Sequence, residues 1–471
     1  MAKTKEERIR TYYPYAERFP VNRRLPERGR GREEILAELR EIAREEDAFW
    51  QTGRCSGTMY CGDMEHYAFL KEAFGLFGHV NALQRDMCPS ATRFEGEIIA
   101  MTLDLLHGDA ARPASEPCGT VTSGGTESIL SALLAYRERA REERGITWPQ
   151  VILPETAHVA FRKGAHLFGM EVVEAPIDPE TTQVDVDFVR SRVGPRTALL
   201  VGSAGNYGYG TIDPIAELSE IALEREVGLH VDACLGGFLL PFGEELGYDI
   251  PPFDFRLPGV TTVSADTHKY GYGLKGSSVL AYRDRSLRRH LYFMQQDWSG
   301  GKYISPGIAG SRSGGLLAAT WASLVSLGRE GFRRHAAEIF ATAFAMQEAV
   351  RRHPELRILG KPTFCFSFLS DDFDIYHVND FLRERGWRLN GQQHPNALHM
   401  CVTRPQTRPG VAAAFASDLS EAVAYAKAPP REKPVTGAMY GGLPKGVPEI
   451  EQMVRGLMTG LLDAYQDVPP E

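Results

Sequence analysis

One lysine has surroundings that could support covalent chemistry. Lys269 lies in the segment VSADTHKYGYGLKGSS (263–278), whose β-prone beginning predicts a strand that ends in a glycine-rich turn. A lysine amine held in such a turn and kept partly unprotonated can form a Schiff base with a bound aldehyde. Because a lysine near glycines is usually a solvated loop cation, this interpretation depends on what other segments bring beside it.

An acid follows a second predicted strand. In HVDACLGGF (230–238), Asp232 stands at the carboxyl tip of a buried strand, where open α/β sheets bind ligands. An acid there can pair with a protonated pyridine nitrogen, which makes the ring an electron sink for a carbanion at a substrate's α-carbon. The alternative is an aspartate that caps the next turn.

A third strand ends in a turn suited to phosphate. In VTSGGTESIL (121–130), the strand breaks at Gly124 and Gly125, and Thr126 opens a helical run, 127–144. Backbone N–H groups and the positive end of the helix then face a ligand before Thr126, as phosphate binding requires. Alone, this pattern is also that of an ordinary helix start.

Together, the lysine, the acid and the phosphate turn predict one site for pyridoxal 5'-phosphate. All three follow strands, in an order that places them at one edge of a sheet. His268, directly before the lysine, could contact the cofactor. His158 follows another predicted strand and could stack on a flat ring, although a structural histidine is the simpler interpretation. No metal is required for this chemistry.

These segments resemble the motifs of the sphingosine 1-phosphate lyase family. The resemblance extends from about Arg24 to about Asp463, and its motifs are SGGTES (123–128), HVDACLGGF (230–238), ADTHKYGYG (265–273), KGSS (275–278), AGSR (309–312), RLNG (388–391) and the turn at 440–441. It implies a homodimeric, aminotransferase-like (type I) pyridoxal phosphate enzyme. Such an enzyme breaks the C2–C3 bond of sphingosine 1-phosphate or a related phosphorylated long-chain base. The products are a fatty aldehyde and phosphoethanolamine.

The resemblance also implies roles around the cofactor. It places His158 over the pyridine face. It further implies that Gly310 and Ser311, which locally are only a helix cap, reach across a dimer to the partner's cofactor phosphate.

The family implies a pocket for the substrate phosphate as well. The stretch 53–99, which we expect to be a structured loop until a helix begins near Ala91, would reach the neighbouring subunit's active site. It carries Tyr60 and Asn81, which would line the pocket, and Lys275 would point its charge at the phosphate. The family commonly has histidine where this chain has Gln84, which can donate a hydrogen bond but carries no charge.

The base that takes the substrate's C3 hydroxyl proton stays open at this stage. Lys269, once displaced from the cofactor by the substrate amine, is one candidate, and Tyr207, Tyr209 and Tyr440 are the others. Tyr209 stands in a Gly-Tyr-Gly sequence where the family tends to have Pro-His-Gly. Both departures from the family lie near the implied substrate site and leave the cofactor motifs intact.

Two other functions share part of these signatures. A pyridoxal phosphate amino-acid decarboxylase has similar lysine and aspartate motifs but needs a carboxylate anchor in place of a phosphate pocket. A catalytically silent pyridoxal-binding protein is the second alternative, and the complete set of Lys269, Asp232 and His158 argues against it.

Composition excludes several classes of protein. The 471 residues suit one large α/β domain with smaller additions, and a formal charge of −8 argues against a general nucleic-acid surface. No apolar run is long enough to span a bilayer, and the first residues lack the apolar core of a signal peptide, so we expect a soluble, cytoplasmic protein. Seven cysteines without a CxxC pair indicate reduced thiols.

The order of elements predicts an α/β fold. Short apolar runs alternate with helical stretches between residues 118 and 283, which favours a mainly parallel sheet covered by helices. The predicted strands are 119–122, 151–153, 171–175, 198–202, 229–232, 261–264 and 279–282. We expect an N-terminal arm and helical segment (1–90) with a helix from about Glu33, a large cofactor-binding domain (91–328) and a smaller C-terminal α/β domain (329–471). The last contains strands 364–368 and 399–402 and a helix over 411–426.

Overall fold

The computed structural model describes residues 11–112, 114–437, 441–442 and 447–467. Its large sheet has seven strands in the order β1-β7-β6-β5-β4-β2-β3. Strand β7 is antiparallel to both neighbours, and the other adjacent strands are parallel. The strands are β1 (Cys118–Thr122), β2 (Gln150–Pro154), β3 (Glu171–Ala175), β4 (Thr197–Ser203), β5 (Gly228–Asp232), β6 (Thr262–Ala265) and β7 (Ser278–Tyr282).

The sequence predicted each of these strands to within one residue at either end. Every residue of β4, β5, β6 and β7 is buried, because helices cover both faces of a parallel sheet. The helices are α1 (Arg32–Trp50), α2 (Met64–Phe77), α3 (Pro89–Leu105), α4 (Gly125–Arg144), α5 (Ala160–Phe168), α6 (Val186–Arg192), α7 (Ile215–Glu224), α8 (Leu240–Glu245), α9 (Arg285–Arg289), α10 (Gly314–Arg351), α11 (Ile375–Glu384), α12 (Val411–Lys427) and α13 (Pro448–Gln466).

A smaller antiparallel sheet follows α10. Its strands, in the order β10-β11-β13-β12, are β10 (Leu356–Ile358), β11 (Cys365–Ser370), β12 (Asn390–Gln392) and β13 (Ala397–Cys401). The predicted strands 364–368 and 399–402 overlap β11 and β13, and the predicted helix over 411–426 corresponds to α12. The division of the chain at residues 90 and 328 stays a prediction.

Two elements differ from the sequence-based expectation. The stretch 53–99 contains a helix, α2, where we expected a loop. Asp63 caps this helix by accepting hydrogen bonds from the N–H groups of Glu65 and His66, and Leu70 packs against Ala319 and Ala322 of α10. Beyond the lysine loop, β8 (Phe293–Gln295) and β9 (Tyr303–Ser305) form a hairpin that was not among the predicted strands.

Helix α10 is interrupted at one glycine. Gly328 has φ +56° and ψ 178°, which breaks the helical path within Gly314–Arg351.

The described residues contain no helix of the length and apolarity that a bilayer span requires.

Candidate active site

The carboxyl ends of five strands meet at one edge of the large sheet. Strand β1 is parallel to β2, β4, β5 and β6, since β1 and β6 both pair antiparallel with β7 between them. The segments leaving these strands surround a cavity of about 410 Å³, which is the location where open α/β sheets bind ligands. Its lining includes Tyr60, Gly124, Gly125, Thr126, His158, Tyr207, Asp232, Cys234, Asp266, His268 and Lys269.

Lys269 pairs with an acid of its own loop. Its Nζ lies 2.9 Å from Oδ2 of Asp266, three residues earlier, and the Asp266 side chain is 1% exposed. Burial opposes a charge on Lys269, but the Asp266 carboxylate outweighs burial and raises the pKa of the amine above its ordinary value. The free amine of this chain is therefore an ammonium.

Asp232 lies at the end of β5, and its side chain is fixed by its neighbours. Its Oδ1 accepts hydrogen bonds from the N–H of Cys234 (3.1 Å) and from the Ser264 hydroxyl (3.2 Å). Burial would raise the pKa of this carboxyl, but the charges of His158 and His230 and the Cys234 hydrogen bonds lower the pKa below its ordinary value. Asp232 is thus ionised, the form that can pair with a protonated ring nitrogen.

The turn before α4 depends on its glycines. Gly124 has φ +150°, a conformation that side chains rarely adopt. A Cβ on Gly125 would lie 2.7 Å from Oδ2 of Asp266 and 2.8 Å from Sγ of Cys234. The Glu127 carboxylate accepts a hydrogen bond from the Ser123 N–H at 2.7 Å. The N-terminus of α4 thus opens onto the cavity through two glycines, which allows close approach of a phosphate to the backbone.

The donor set of this cavity fits pyridoxal phosphate. A reactive amine (Lys269), an ionised acid for the ring nitrogen (Asp232) and a helix N-terminus for the phosphate line the same space. The two oxygens of Asp266 are buried and make no hydrogen bond to the described residues, although Oδ2 lies at ion-pair distance from Lys269. Such a carboxylate retains the Lys269 amine beside the space where a ligand would sit.

Comparisons with known proteins agree with this site. The family described as the pyridoxal-dependent decarboxylase conserved domain matches residues 14–368. The chain is 41% identical to a sphingosine-1-phosphate lyase of Arabidopsis thaliana over 450 residues, which cover 94% of this chain and 80% of the relative. A solved structure of Burkholderia pseudomallei sphingosine-1-phosphate lyase is 62% identical, with a TM-score of 0.91 over 97% of this chain and 99% of that one. This chain belongs to the sphingosine-1-phosphate lyase family.

Membership of the lyase family confirms three predictions. The fold is the type I pyridoxal phosphate fold with an additional small sheet, the cofactor is pyridoxal phosphate, and the chain is a pyridoxal phosphate-dependent lyase. Lactobacillus brevis glutamate decarboxylase, 22% identical, has a TM-score of 0.74 over 88% of this chain and 97% of that one, and this likeness concerns the fold alone.

Tyr60 lines the cavity of its own Lys269. The expected contribution of this residue to a neighbouring subunit's site stays a prediction. Its ring packs edge-on against Tyr270, with 5.0 Å between centroids, and Nζ of Lys275 lies 4.6 Å from the centre of the ring. These contacts hold the segment around Tyr60 against the lysine loop of the same chain.

Asn81, Gln84, Gly310 and Ser311 do not line the Lys269 cavity of their own chain, although Ser311 lines a smaller pocket with Ser123 and Glu127 at its border. Nδ2 of Asn81 donates to the Ser311 hydroxyl at 3.1 Å, and Oδ1 of Asn81 accepts from the N–H of Arg312 at 3.3 Å. Gln84 is exposed. Gly310 lines a separate, largely apolar cavity of about 350 Å³ beside the β8–β9 hairpin. These four residues form one surface group.

The three tyrosine candidates differ in position. Tyr207 lines the cavity, 47% exposed, and its ring lies 4.8 Å from that of His399. Tyr209 instead packs against the apolar residues Leu359, Leu369 and Ala397, outside the cavity. Tyr440 lies outside the described residues.

Asp266 and Cys234 are cavity residues to which sequence reasoning assigned no chemical role. We had assigned no role to Asp266, although its place three residues before a Schiff-base lysine, at the end of a strand, could have drawn attention to it. Cys234 follows Asp232 by two residues, and its thiol both lines the cavity and donates to the Ser264 hydroxyl at 3.3 Å. Burial raises the pKa of this thiol, which is therefore protonated.

Proposed function

We propose that this chain cleaves sphingosine 1-phosphate, or a related phosphorylated long-chain base, between C2 and C3. The observation that carries this proposal is the single cavity that Lys269, Asp232 and the glycine turn share, with Lys275 and Tyr60 beside it. Lys269, Asp232 and the glycine turn suit any pyridoxal phosphate enzyme. A lysine ammonium above a tyrosine ring adds a site for an anionic group such as the substrate phosphate.

The cofactor supplies an electron-accepting ring, which takes up the electron pair released when the C2–C3 bond breaks. In our proposal Lys269 attaches the cofactor and Asp232 keeps the ring nitrogen protonated. Gly124, Gly125 and Thr126 hold the phosphate, while His158 covers the ring. His268 completes this shell, and its Nδ1–H donates to the carbonyl of Ser277 at 2.6 Å, which fixes the imidazole.

The reaction moves one proton from the C3 hydroxyl of the substrate to C2. We propose Lys269 as the donor to C2, because the Asp266 carboxylate supports the ammonium form of the free amine. We propose Tyr207 for the hydroxyl proton. Partial burial raises the pKa of Tyr207, so its hydroxyl is neutral and would accept the C3 proton while passing its own proton to solvent. Solvent would then return a proton to Lys269 after that residue has donated to C2.

We propose that the active form is a homodimer with shared sites. Asn81, Gln84, Gly310 and Ser311 would then serve the partner's cavity, which explains why they lie together on a surface away from their own Lys269. The β8–β9 hairpin beside them exposes large apolar side chains, including Phe293 (57%), Met294 (65%) and Ile304 (71%). Exposed apolar patches of this kind are typical of interfaces.

We also propose that the enzyme works in the cytoplasm. All seven cysteines are free thiols, which suits a reducing compartment. Fractionation of the producing cell followed by detection of the chain would check this location.

A product assay tests the proposed reaction. The purified chain with bound cofactor is incubated with sphingosine 1-phosphate, and long-chain aldehyde and phosphoethanolamine are measured by mass spectrometry. A parallel assay measures carbon dioxide release from amino acids. We expect aldehyde without carbon dioxide, no product from Lys269→Ala, and full activity from Lys361→Ala, whose side chain is 82% exposed. Carbon dioxide release without aldehyde would favour the decarboxylase alternative.

A second experiment tests the role of Lys269. Borohydride reduction of the loaded enzyme, followed by peptide mass spectrometry, should place the reduced cofactor on Lys269. Finding it on Lys275, or on no lysine, would overturn the assignment.

A further inference from the structure

Asp266 is the most deeply buried acid of the cavity. Its side chain is 1% exposed, and apart from the contact with Lys269 neither carboxylate oxygen has a hydrogen-bond partner among the described residues. Its titratable neighbours are Lys269, whose Nζ lies at 2.9 Å, and His268, whose Nε2 lies at 3.8 Å. Burial lowers the pKa of His268, which leaves the imidazole neutral and Lys269 as the cation that compensates Asp266.

The Asp266 carboxylate is packed against the backbone of Gly125. Its two oxygens lie 2.7 and 2.9 Å from the position that a Cβ on Gly125 would take, and Sγ of Cys234 lies 2.8 Å from the same position. A buried carboxylate that lacks hydrogen bonds is destabilising unless a cation stays beside it. The ion pair therefore stabilises the positive charge on Lys269, and the raised pKa of the lysine amine agrees with this.

A charged lysine cannot attach the cofactor. Schiff-base formation begins when the lone pair of a neutral amine adds to the aldehyde carbon of pyridoxal phosphate. Water then leaves, and a carbon–nitrogen double bond replaces the carbon–oxygen double bond. An ammonium has no lone pair, so it must first release a proton to solvent. The rate of attachment consequently follows the neutral fraction of Lys269.

We propose that Asp266 is a positioning residue that holds Lys269 as an ammonium in the cofactor-free chain and thereby slows covalent attachment of pyridoxal phosphate. After substrate has displaced Lys269 from the cofactor, the same ion pair keeps the freed amine protonated. Asp266 thus slows attachment of the cofactor to the free chain, and it stabilises the ammonium form of Lys269 after the substrate has displaced this residue.

Several other titratable groups face Lys269 and must be separated from Asp266 in any pH profile. His268 and Lys275 belong to the same loop as Lys269, Tyr207 follows β4, and Asp232 and Cys234 lie at the end of β5. Tyr60 belongs to the N-terminal segment, and Cys401 ends β13. Burial raises the pKa values of Tyr60, Tyr207 and Cys234, which stay protonated through neutral pH. Lys275, with a pKa lowered to about 8, titrates within the useful range, so a Lys275→Met background removes its contribution.

The experiment measures cofactor attachment without substrate, so its outcome is independent of the proposed lipid cleavage. Full-length chain freed of cofactor is mixed with excess pyridoxal phosphate between pH 6.5 and 9.5. The Schiff-base absorbance is followed in time, and borohydride trapping with mass spectrometry verifies attachment to Lys269. For the wild type we expect the rate to rise about tenfold per pH unit without a plateau below pH 9, as one deprotonation requires.

Asp266→Asn should attach the cofactor at least about tenfold faster at pH 7, with its plateau at a lower pH, because the ammonium loses its counter-charge. Asp249→Asn is the matched control, since it breaks an aspartate–lysine pair at the surface, where both side chains are 82% exposed. Equal or slower attachment in Asp266→Asn would overturn the proposal. If that variant does not fold, the wild type decides, because a plateau below pH 8 contradicts a lysine held as an ammonium.

Discussion

The ammonium of Lys275 lies over the ring of Tyr60, with 4.6 Å between Nζ and the ring centroid. This contact joins the loop after β6 to the segment before α2, two parts of the chain that are about two hundred residues apart. A cation at the face of a tyrosine ring is stabilised by the ring's negative face and keeps its hydrogen-bond donors free for an anion. This contact supports the proposal that the substrate phosphate binds beside this pair.

Lys275→Met should lower kcat/KM for sphingosine 1-phosphate by about tenfold or more, since hydrogen bonds to charged groups contribute about 1.5–3 kcal/mol. Burial and repulsion from Lys269 lower the pKa of Lys275 to about 8. The side chain is also exposed to solvent, which screens part of this shift. In the wild type kcat/KM should thus fall as pH rises above about 8, where the ammonium is lost. Lys275→Arg, whose charge persists, should remove that fall. A wild-type profile that is flat to pH 10 would contradict the role.

Gly125→Ala should weaken cofactor binding. The added Cβ would lie within 2.8 Å of both the Asp266 carboxylate and the Cys234 thiol, so the start of α4 must shift away from the place of the phosphate. We expect at least about a tenfold increase in the dissociation constant of pyridoxal phosphate, measured by equilibrium titration of the absorbance. Gly96→Ala, in α3 with no atom within 4 Å of its Cβ, is the control and should bind as the wild type does.

The sequence was sufficient for features that contiguous residues encode. Strands β1 to β7 and the residues after them follow from short apolar runs that end in polar or glycine-rich turns. Lys269, Asp232 and Gly125 belong to such turns, and the edge of the sheet then places them together. Two features depend on contacts between distant segments, and for this reason the sequence pattern did not predict them. Tyr60 is held in its own chain's cavity by Tyr270, and Tyr209 turns away from the cavity toward Leu359 and Leu369.

His399 should make the protein less stable in mild acid. It is fully buried behind Tyr207, and neither ring nitrogen has a hydrogen-bond partner among the described residues. Burial lowers its pKa from 6.5 to about 4. Below pH 6.5 the unfolded chain therefore binds a proton here that the folded chain does not, so stability is lost as pH falls from about 6.5 to 4.

His399→Phe removes both ring nitrogens and keeps an aromatic ring against Tyr207. Between pH 6.5 and 5, the variant should lose less free energy of unfolding than the wild type does, by up to about 2 kcal/mol. The reason is that uptake of one proton by the unfolded chain alone lowers this free energy by about 1.4 kcal/mol per pH unit. Urea unfolding at a fixed protein concentration measures this difference. The exposed His79→Phe serves as the control. An unchanged pH slope in His399→Phe would show that this histidine is not the cause.

Gln84→His should improve phosphate recognition in mild acid. A protonated histidine forms a charge-assisted hydrogen bond, which exceeds the neutral bond of glutamine by about 1 kcal/mol. We expect the KM for sphingosine 1-phosphate to fall about fivefold at pH 6 and to change little at pH 8. Gln466→His, at the end of α13, controls for an added surface histidine. If KM is the same at both pH values, Gln84 does not face the phosphate.

Mixed dimers test which residues serve the partner's cavity. In one combination a Lys269→Ala chain is paired with an Asn81→Ala chain, each of which we expect to be strongly impaired alone. If Asn81 serves the partner, the heterodimer has one intact site, formed by Lys269 of the second chain and Asn81 of the first. Random mixing makes about half of the dimers heterodimers, so about a quarter of wild-type activity should return.

A second combination pairs Lys269→Ala with Tyr60→Phe and provides the matched control. Because Tyr60 lines the cavity of its own Lys269, each site of this heterodimer carries one defect, and activity should not return. Recovery with Asn81→Ala and none with Tyr60→Phe would support shared sites in which Tyr60 acts within its own chain. Recovery with Tyr60→Phe would contradict the position of Tyr60 described above. No recovery in either combination, with mixing verified by mass spectrometry, would contradict the transfer of Asn81 to the partner's site.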